Sequence, residues 1–304
     1  MKSIYIAVPS LYDPEYEHTL DDIFYKSSGK YEIHVGGAIT TDDKDFYDYI
    51  VKRYQGKNAE FIHLDPHTEY GLGQARYHSM SLYQDQDYVM QCDAHTKFEQ
   101  GWDDFVISLY EQAKKETGNP KTILTSYLGQ YQELDGVRSV IANNSRYATF
   151  ETNLFHGTIP RWAMVPVTDL DPIYHSKRFL PSNQYCGQFA LSESHLALDY
   201  PIEKTALYMD EQLTLAISLI DKGYSLVYPN ENLPMTHLWI GDPGYENRQK
   251  MEDLTNMPDH LKISSDNFKK FKKNRKRRKK FESYVGFKLK TGPKQLCMVP
   301  KEYS

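Results

Sequence analysis

YVMQCDAHTKFEQGWDD, residues 88–104, opens as an apolar strand and stops abruptly at an acid. Tyr88 to Cys92 is the kind of short apolar run that lies inside a parallel sheet. A core refuses the next residues, Asp93 and His95, unless a partner or ligand receives them. Open parallel sheets bind ligands beyond the carboxyl ends of their strands, and alternate positions of an extended segment point the same way. Asp93 and His95 are therefore placed to chelate a divalent cation of intermediate hardness such as Mn²⁺, with room left for phosphate oxygens. On its own, however, the tripeptide more often marks a turn cap followed by an exposed histidine.

Strand and helix patterns alternate outward from this stretch. SIYIAVP (3–9), YEIHVGGAI (31–39) and AEFIHLDP (59–66) read as strands. Between them LYDPEYEHTLDDIFYKS, with Thr19 as N-cap and Asp21 and Asp22 in its first turn, and DDKDFYDYIVKRYQ read as helices. GLGQARYHSMSLYQ continues as a helix into the strand DYVMQCD, and WDDFVISLYEQAKKET precedes the strand KTILTSY. YCGQFALS (185–192), the helix DEQLTLAISLIDKGY (210–224), the strand SLVYPN (225–230) and MTHLW complete the reading, while 130–180 shows no clear period. This rhythm predicts an α/β fold, a mainly parallel sheet flanked by helices.

The 304 residues are 40% hydrophobic and 25% charged, which suits a globular chain with a real core. No apolar run approaches bilayer length, and MKSIYIAVPS reads as a first strand rather than a signal peptide, so a cytoplasmic protein without a membrane partner is expected. Cys92, Cys186 and Cys297 are widely spaced and fit buried small residues better than a zinc site. The formal charge of −5 conceals the block KKFKKNRKRRKK (269–280), with ten cations in twelve positions. A boundary near residue 250 would divide a body, 1–250, from a basic extension, 251–304.

Three further features bear on the strand end. In GLGQAR (71–76) the glycines, Gly73 among them, open a helix whose backbone N–H groups and Arg76 suit a diphosphate. Asp210 and Glu211 stand at a helix start, and His237 in PMTHLW can supply a third metal ligand from far along the chain.

The order of these blocks carries a resemblance. IAVPSLYDPEYEHTLDDIF, GLGQARYHSMSLY, YVMQCDAHTKFEQGWDD, ILTSY, YCGQFALS, MDEQLTLAISLIDKGYSLVYPNE and THLW are similar in sequence order to the polypeptide N-acetylglucosaminyltransferase family of GT-A glycosyltransferases. The resemblance spans roughly residues 3–240 and implies a GT-A, Rossmann-like fold. It implies that Asp93, His95 and His237 hold Mn²⁺ (or Mg²⁺) at a nucleotide-sugar donor, of UDP type. It further implies that Val8, Tyr12 and Asp13 line the nucleoside pocket, that Gly73 and Arg76 face the donor, and that Trp102 sits behind the metal loop as a donor-side residue. Asp210 or Glu211 would approach the sugar or the acceptor hydroxyl, with retention of configuration. Two blocks depart from the family pattern: Leu11-Tyr12-Asp13 replaces the usual Tyr-Arg-Asp, and Met209-Asp210-Glu211 replaces a Gly-Glu-Glu-like block.

The basic block bears on the acceptor. Lys272, Lys273, Arg275, Arg277 and Arg278 would attract a polyanion, although such a run also serves as a solvated face. Sugar transfer to a hydroxymethylated base in DNA is the leading expectation. Transfer of N-acetylglucosamine to a protein hydroxyl (hydroxyproline or Ser/Thr) is the alternative, and a non-catalytic nucleic-acid-binding module is the third.

Overall fold

A computed structural model of the chain describes residues 1–69, 71–134, 137–142, 146–156, 159–166, 176–182, 184–200, 209–238 and 273–285. In chain order, β1 (Ser3–Leu11), α1 (Tyr16–Tyr25), β2 (Glu32–Thr40), α2 (Lys44–Arg53), β3 (Ala59–Leu64), α3 (Leu72–Ser81) and β4 (Tyr88–Cys92) alternate as the sequence predicts. β5 (Thr96–Phe98), α4 (Trp102–Thr117) and β6 (Thr122–Thr125) follow. The stretch without a clear period contains β7 (Gly129–Leu134), β8 (Val137–Ala142), β9 (Arg146–His156), β10 (Ile159–Pro166) and β11 (Phe179–Pro181). Then come β12 (Phe189–Glu193), α5 (His195–Asp199), α6 (Met209–Asp221), β13 (Ser225–Pro229), β14 (Met235–Leu238) and α7 (Arg275–Val285). No helix among the described residues is long and apolar enough to cross a membrane.

The main sheet has the order β11-β13-β6-β12-β4-β1-β2-β3. β3, β2, β1 and β4 are mutually parallel, as are β13 and β6, whereas β12 runs antiparallel between β4 and β6 and β11 runs antiparallel at the edge. The fold is thus α/β with a mainly parallel sheet. β1 shows why it sits at the centre: Ile4, Ile6 and Val8 pack with Tyr16, Leu20 and Ile23 of α1 on one face. Tyr5 and Ala7 pack with Met80 of α3 on the other, the alternation of a strand covered on both sides.

The start of α1 differs from the sequence expectation. The helix begins at Tyr16, not after Thr19. Asp13 prepares that turn, its Oδ1 accepting the Glu15 N–H at 2.9 Å. Tyr16 then enters the core beneath β1, and Thr19 is buried one turn further on. The physical reason is that burying Tyr16 in the first turn outweighs the weak local preference of a threonine for the cap.

A second sheet, β5-β14-β7-β8, builds the site. β14 pairs antiparallel with β5, setting His237 opposite Thr96, and the Leu238 N–H donates to the His95 carbonyl at 3.0 Å. A strand that follows β4 by more than a hundred residues is in this way laid against the end of β4.

The basic segment forms a helix, α7, against α6 and β13. The Leu226 N–H donates to the Tyr284 hydroxyl at 3.1 Å, and Tyr284 packs on the core formed by Ile123, Leu215, Leu219 and Leu226. Lys280 donates to the Asp221 carbonyl at the end of α6. The expected boundary near residue 250 and Lys272 lie outside the described residues.

Candidate metal and donor site

Cys92 ends β4 wholly buried, and the chain turns through Asp93 and Ala94 before β5 begins. The Thr96 hydroxyl donates to the Asp93 carbonyl at 2.9 Å, closing that turn. Thr19 of α1 fastens it from below. Its hydroxyl lies 2.7 Å from the Ala94 carbonyl and 3.1 Å from that of Thr96, and it accepts the Thr96 N–H at 3.0 Å. One buried hydroxyl thereby satisfies backbone groups that an irregular turn would otherwise leave orphaned.

On this turn, Asp93, His95 and His237 bring one ligand atom each within 4.8 Å of one another. The His237 Nε2 is 3.3 Å from Asp93 Oδ2, and the two imidazoles meet edge to face with centroids 4.3 Å apart. His95 Nδ1 lies 2.6 Å from Asp13 Oδ2. A carboxylate on one ring nitrogen fixes the tautomer and leaves the other nitrogen as the ligand, the arrangement of metal-binding histidines. Two imidazoles and one carboxylate suit a divalent cation of intermediate hardness, because the hardest cations prefer oxygen alone. The residues fit such a metal.

The electrostatics favour the ligating forms of Asp93 and His237. Burial pushes the Asp93 carboxyl up, but the His237 hydrogen bond and the Arg76 cation outweigh it and hold Asp93 well below the usual carboxylate range. Burial, then the neighbouring His95, holds His237 below the ordinary imidazole value and favours its neutral, ligating form. Burial also disfavours charge on His95, but the Asp13 carboxylate prevails and raises it.

Arg76 is 2% exposed, with Nη2 3.5 Å from Asp93 Oδ1. Its guanidinium lies against Gly187, where a β-carbon would overlap it. Gln91 of β4 holds that glycine, donating from Nε2 to the Gly187 carbonyl at 3.2 Å. The Gln91 carbonyl accepts hydroxyls from Tyr185 at 3.1 Å and from Tyr200. Arg76 thus sits behind Asp93, oriented by a glycine contact and a glutamine clamp. α3 itself starts at Gly71, whose φ of 104° a side chain would resist, and Gly73 is buried in its first turn.

The remaining expected residues divide. Tyr12 stays at the carboxyl edge of the sheet, half-buried, with a φ of 46° and its N–H donating to Thr40 at 3.1 Å. Asp13 is buried and hydrogen-bonded to His95. Val8 lies in the core with no exposed surface, and its carbonyl accepts the Tyr16 hydroxyl at 3.4 Å. Trp102 lies in the core as well. It is also without exposed surface, packed on Phe98 at 5.0 Å and donating from its indole N–H to Ile23 at 3.3 Å. Neither side chain has surface with which to touch a donor.

Asp210 and Glu211 stand in the first turn of α6, and their side chains lie outside the described residues. The next residue, Gln212, accepts the Tyr127 hydroxyl at 2.7 Å, tying that turn to the segment just beyond β6. Lys273, just before α7, and Arg275 at its start are exposed, while the Arg277 and Arg278 side chains lie outside the described residues. Sequence reading missed the roles of Thr19, Gln91 and Gly187. The glycine inside the strand-like YCGQFALS was the available signal, since such a glycine often marks a close approach.

The model of the family described as Glycosyltransferase (GlcNAc) matches residues 48–239, more than half of the chain. Among solved structures, the chain is similar to the crystal structure of GalNAc-T7 with UDP, GalNAc and Mn²⁺, at a TM-score of 0.56 and 12% identity. The match covers 91% of this chain and 57% of that one, so the present chain spans little more than half of that protein, and the likeness is one of fold. No curated protein matches the chain.

Proposed function

The chain belongs to the GlcNAc glycosyltransferase family, and from that premise we propose that it moves a sugar from a nucleotide-diphosphate donor to a hydroxyl of a macromolecule. The observation that carries this reading is the convergence of Asp93, His95 and His237 within 4.8 Å at the end of a parallel strand. These three residues would hold Mn²⁺, or Mg²⁺ less well. When bound, such a cation neutralises charge on a departing diphosphate.

The chain's own residues supply the rest. Asp13 engages the Nδ1 of His95, so that its Nε2 is the ligand. Arg76 keeps Asp93 ionised and adds positive potential where the leaving group's charge develops. Tyr12 is offered to the nucleoside of a UDP-linked donor, and Asp210 or Glu211 to the sugar or the attacking hydroxyl, with retention at the anomeric carbon. Residues 1–250 form the catalytic domain in this reading and 251–304 a basic extension, acting in the cytoplasm.

The proposed acceptor is a hydroxymethylated base in DNA, which the exposed cations of α7 support. N-acetylglucosamine transfer to a protein hydroxyl is the second reading, favoured by the sugar that the family description names. The buried, oriented ligand set argues against a non-catalytic nucleic-acid-binding module.

The test is a panel of nucleotide-sugars with Mn²⁺, scored for donor hydrolysis and then for transfer to hydroxymethylated DNA and to a hydroxyproline peptide. One donor should be turned over, and His95→Ala and Asp93→Ala should abolish the turnover. Wild-type rates in either variant would remove the metal role, and no turnover of any donor would remove the function.

A further inference from the structure

The basic helix is more than a charged tail. α7, RKRRKKFESYV, carries six cations and one acid. Like charges one turn apart, such as Arg275 with Lys279, weaken an isolated helix by a few tenths of a kcal/mol per pair (about 0.2–0.5). Tertiary contacts offset that repulsion. Tyr284 exchanges hydrogen bonds with the N–H and carbonyl of Leu226 at 3.1 and 3.3 Å, and Lys280, one turn earlier on the same face, caps the last carbonyl of α6 at Asp221.

With that face docked, Arg275 and Lys279 fall on the opposite side of the helix. Lys273, Arg275, Lys276 and Lys279 are exposed, and none of them forms an ion pair among the described residues. Several cations of the body, by contrast, are paired with acids: Lys26, Lys30, Arg53, Lys114, Lys121 and Lys222. A fixed row of unneutralised cations on an otherwise acidic protein is complementary to a polyanion. Tyr284, the aromatic of this helix whose side chain is described, faces inward onto β13 and leaves the outward side to cations.

The register places this row relative to the metal site. Val227, Leu124, Leu191 and Met90 are successive partners across β13, β6, β12 and β4. Leu226 precedes Val227 by one residue and Asp93 follows Met90 by three. Four residues of rise and three strand spacings put the anchor roughly 20 Å from Asp93. It is fixed near the amino end of β13, whereas the metal site lies beyond the carboxyl end of β4.

We propose that α7 is a docked anchor for the phosphate backbone of a nucleic-acid duplex, holding it at a point remote from the reacting hydroxyl. Its contribution to transfer rests on the DNA-acceptor reading above; its binding does not. Because the gap is roughly 20 Å and duplex rises about 3.4 Å per base pair, the anchor aids only acceptors longer than about six base pairs.

The experiment uses the full chain carrying R275Q, K276Q and K279Q together. Fluorescence anisotropy against a labelled 20-base-pair duplex is measured across a sodium chloride series, with donor hydrolysis as the control for an intact site. The variant should bind at least about tenfold more weakly, and its log–log salt slope should fall by about 2 to 3, at near 0.9 for each phosphate no longer neutralised. Donor hydrolysis should be unchanged. Duplex binding with wild-type affinity and salt slope would overturn the proposal. Anchor-dependent duplex binding without sugar transfer to hydroxymethylated DNA would sink the acceptor reading and leave the anchor standing.

Discussion

His95 rests its Nδ1 on the carboxylate of Asp13 at 2.6 Å, across 82 positions of sequence. A residue of the first loop thereby decides which nitrogen the histidine offers to the metal site. Asp13→Ala should raise the Mn²⁺ concentration needed for half-saturation by about ten- to a hundred-fold. Asp13→Asn, which keeps an acceptor oxygen, should fall between. Free Mn²⁺ followed by electron paramagnetic resonance reads the affinity directly, and unchanged binding in Asp13→Ala would remove Asp13 from this role.

Gly187 leaves the space that the Arg76 guanidinium fills. Gly187→Ala should displace that group from Asp93 and lower turnover by about ten- to a hundred-fold, the usual cost of a small misplacement at a site. The same substitution should cost little more in an Arg76→Ala background, because the two act through one contact. Additive losses in the double variant would contradict the coupling.

Thr19 shows how a helix can hold a ligand turn. Thr19→Val keeps the shape and removes the hydroxyl that meets Ala94 and Thr96. Each buried backbone group left unsatisfied costs about 1–3 kcal/mol. Thermal unfolding followed by circular dichroism should show a melting temperature several degrees lower, with Thr19→Ser restoring most of it. A variant as stable as the parent would argue against the pin.

Asp199 gives a pH signature away from the site. The Lys121 hydrogen bond, aided by Lys222 and Tyr224, holds its carboxyl down to about 2. A carboxyl depressed in the folded state stabilises above its ordinary pKa, and that stabilisation fades as pH falls from about 4 through 2. Asp199→Asn should therefore lower the melting temperature at pH 7 and make no difference near pH 2. The group is largely solvent-screened, so the shift should be no more than a few degrees. An equal shift at both pH values would contradict the linkage.

The strands β1 and β4 were legible because runs covered on both faces are largely apolar and are closed by turn residues. WDDFVISLYEQAKKET matched α4 residue for residue, with Gly101 and Gly118 in left-handed conformations just outside its ends. Legibility failed where a side chain's partner is distant. Val8 and Trp102, expected on the donor side by resemblance, are both buried in the core, a placement that neighbours far along the chain determine. Thr19 has the chemistry of a cap, yet its hydroxyl is used on a turn 75 positions away. The three-residue β5 is too short to show a period, although it aligns His237 with the end of β4. That His237 joins Asp93 and His95 was implied by family resemblance rather than by spacing, since 144 positions separate His237 from Asp93.

β12 lies between β4 and β6 although it follows both in the chain. While the protein is being synthesised, β4 has β1 on one side and a bare edge on the other, and β6 has neither of its sheet neighbours, because β13 is made later still. The ribosome must deliver residues 189–193 before the middle of the sheet can close. Nascent chains stalled before that point expose an unpaired apolar strand, the kind of edge that other chains add to. The middle of the sheet is thus completed by a strand that is made after both of its neighbours.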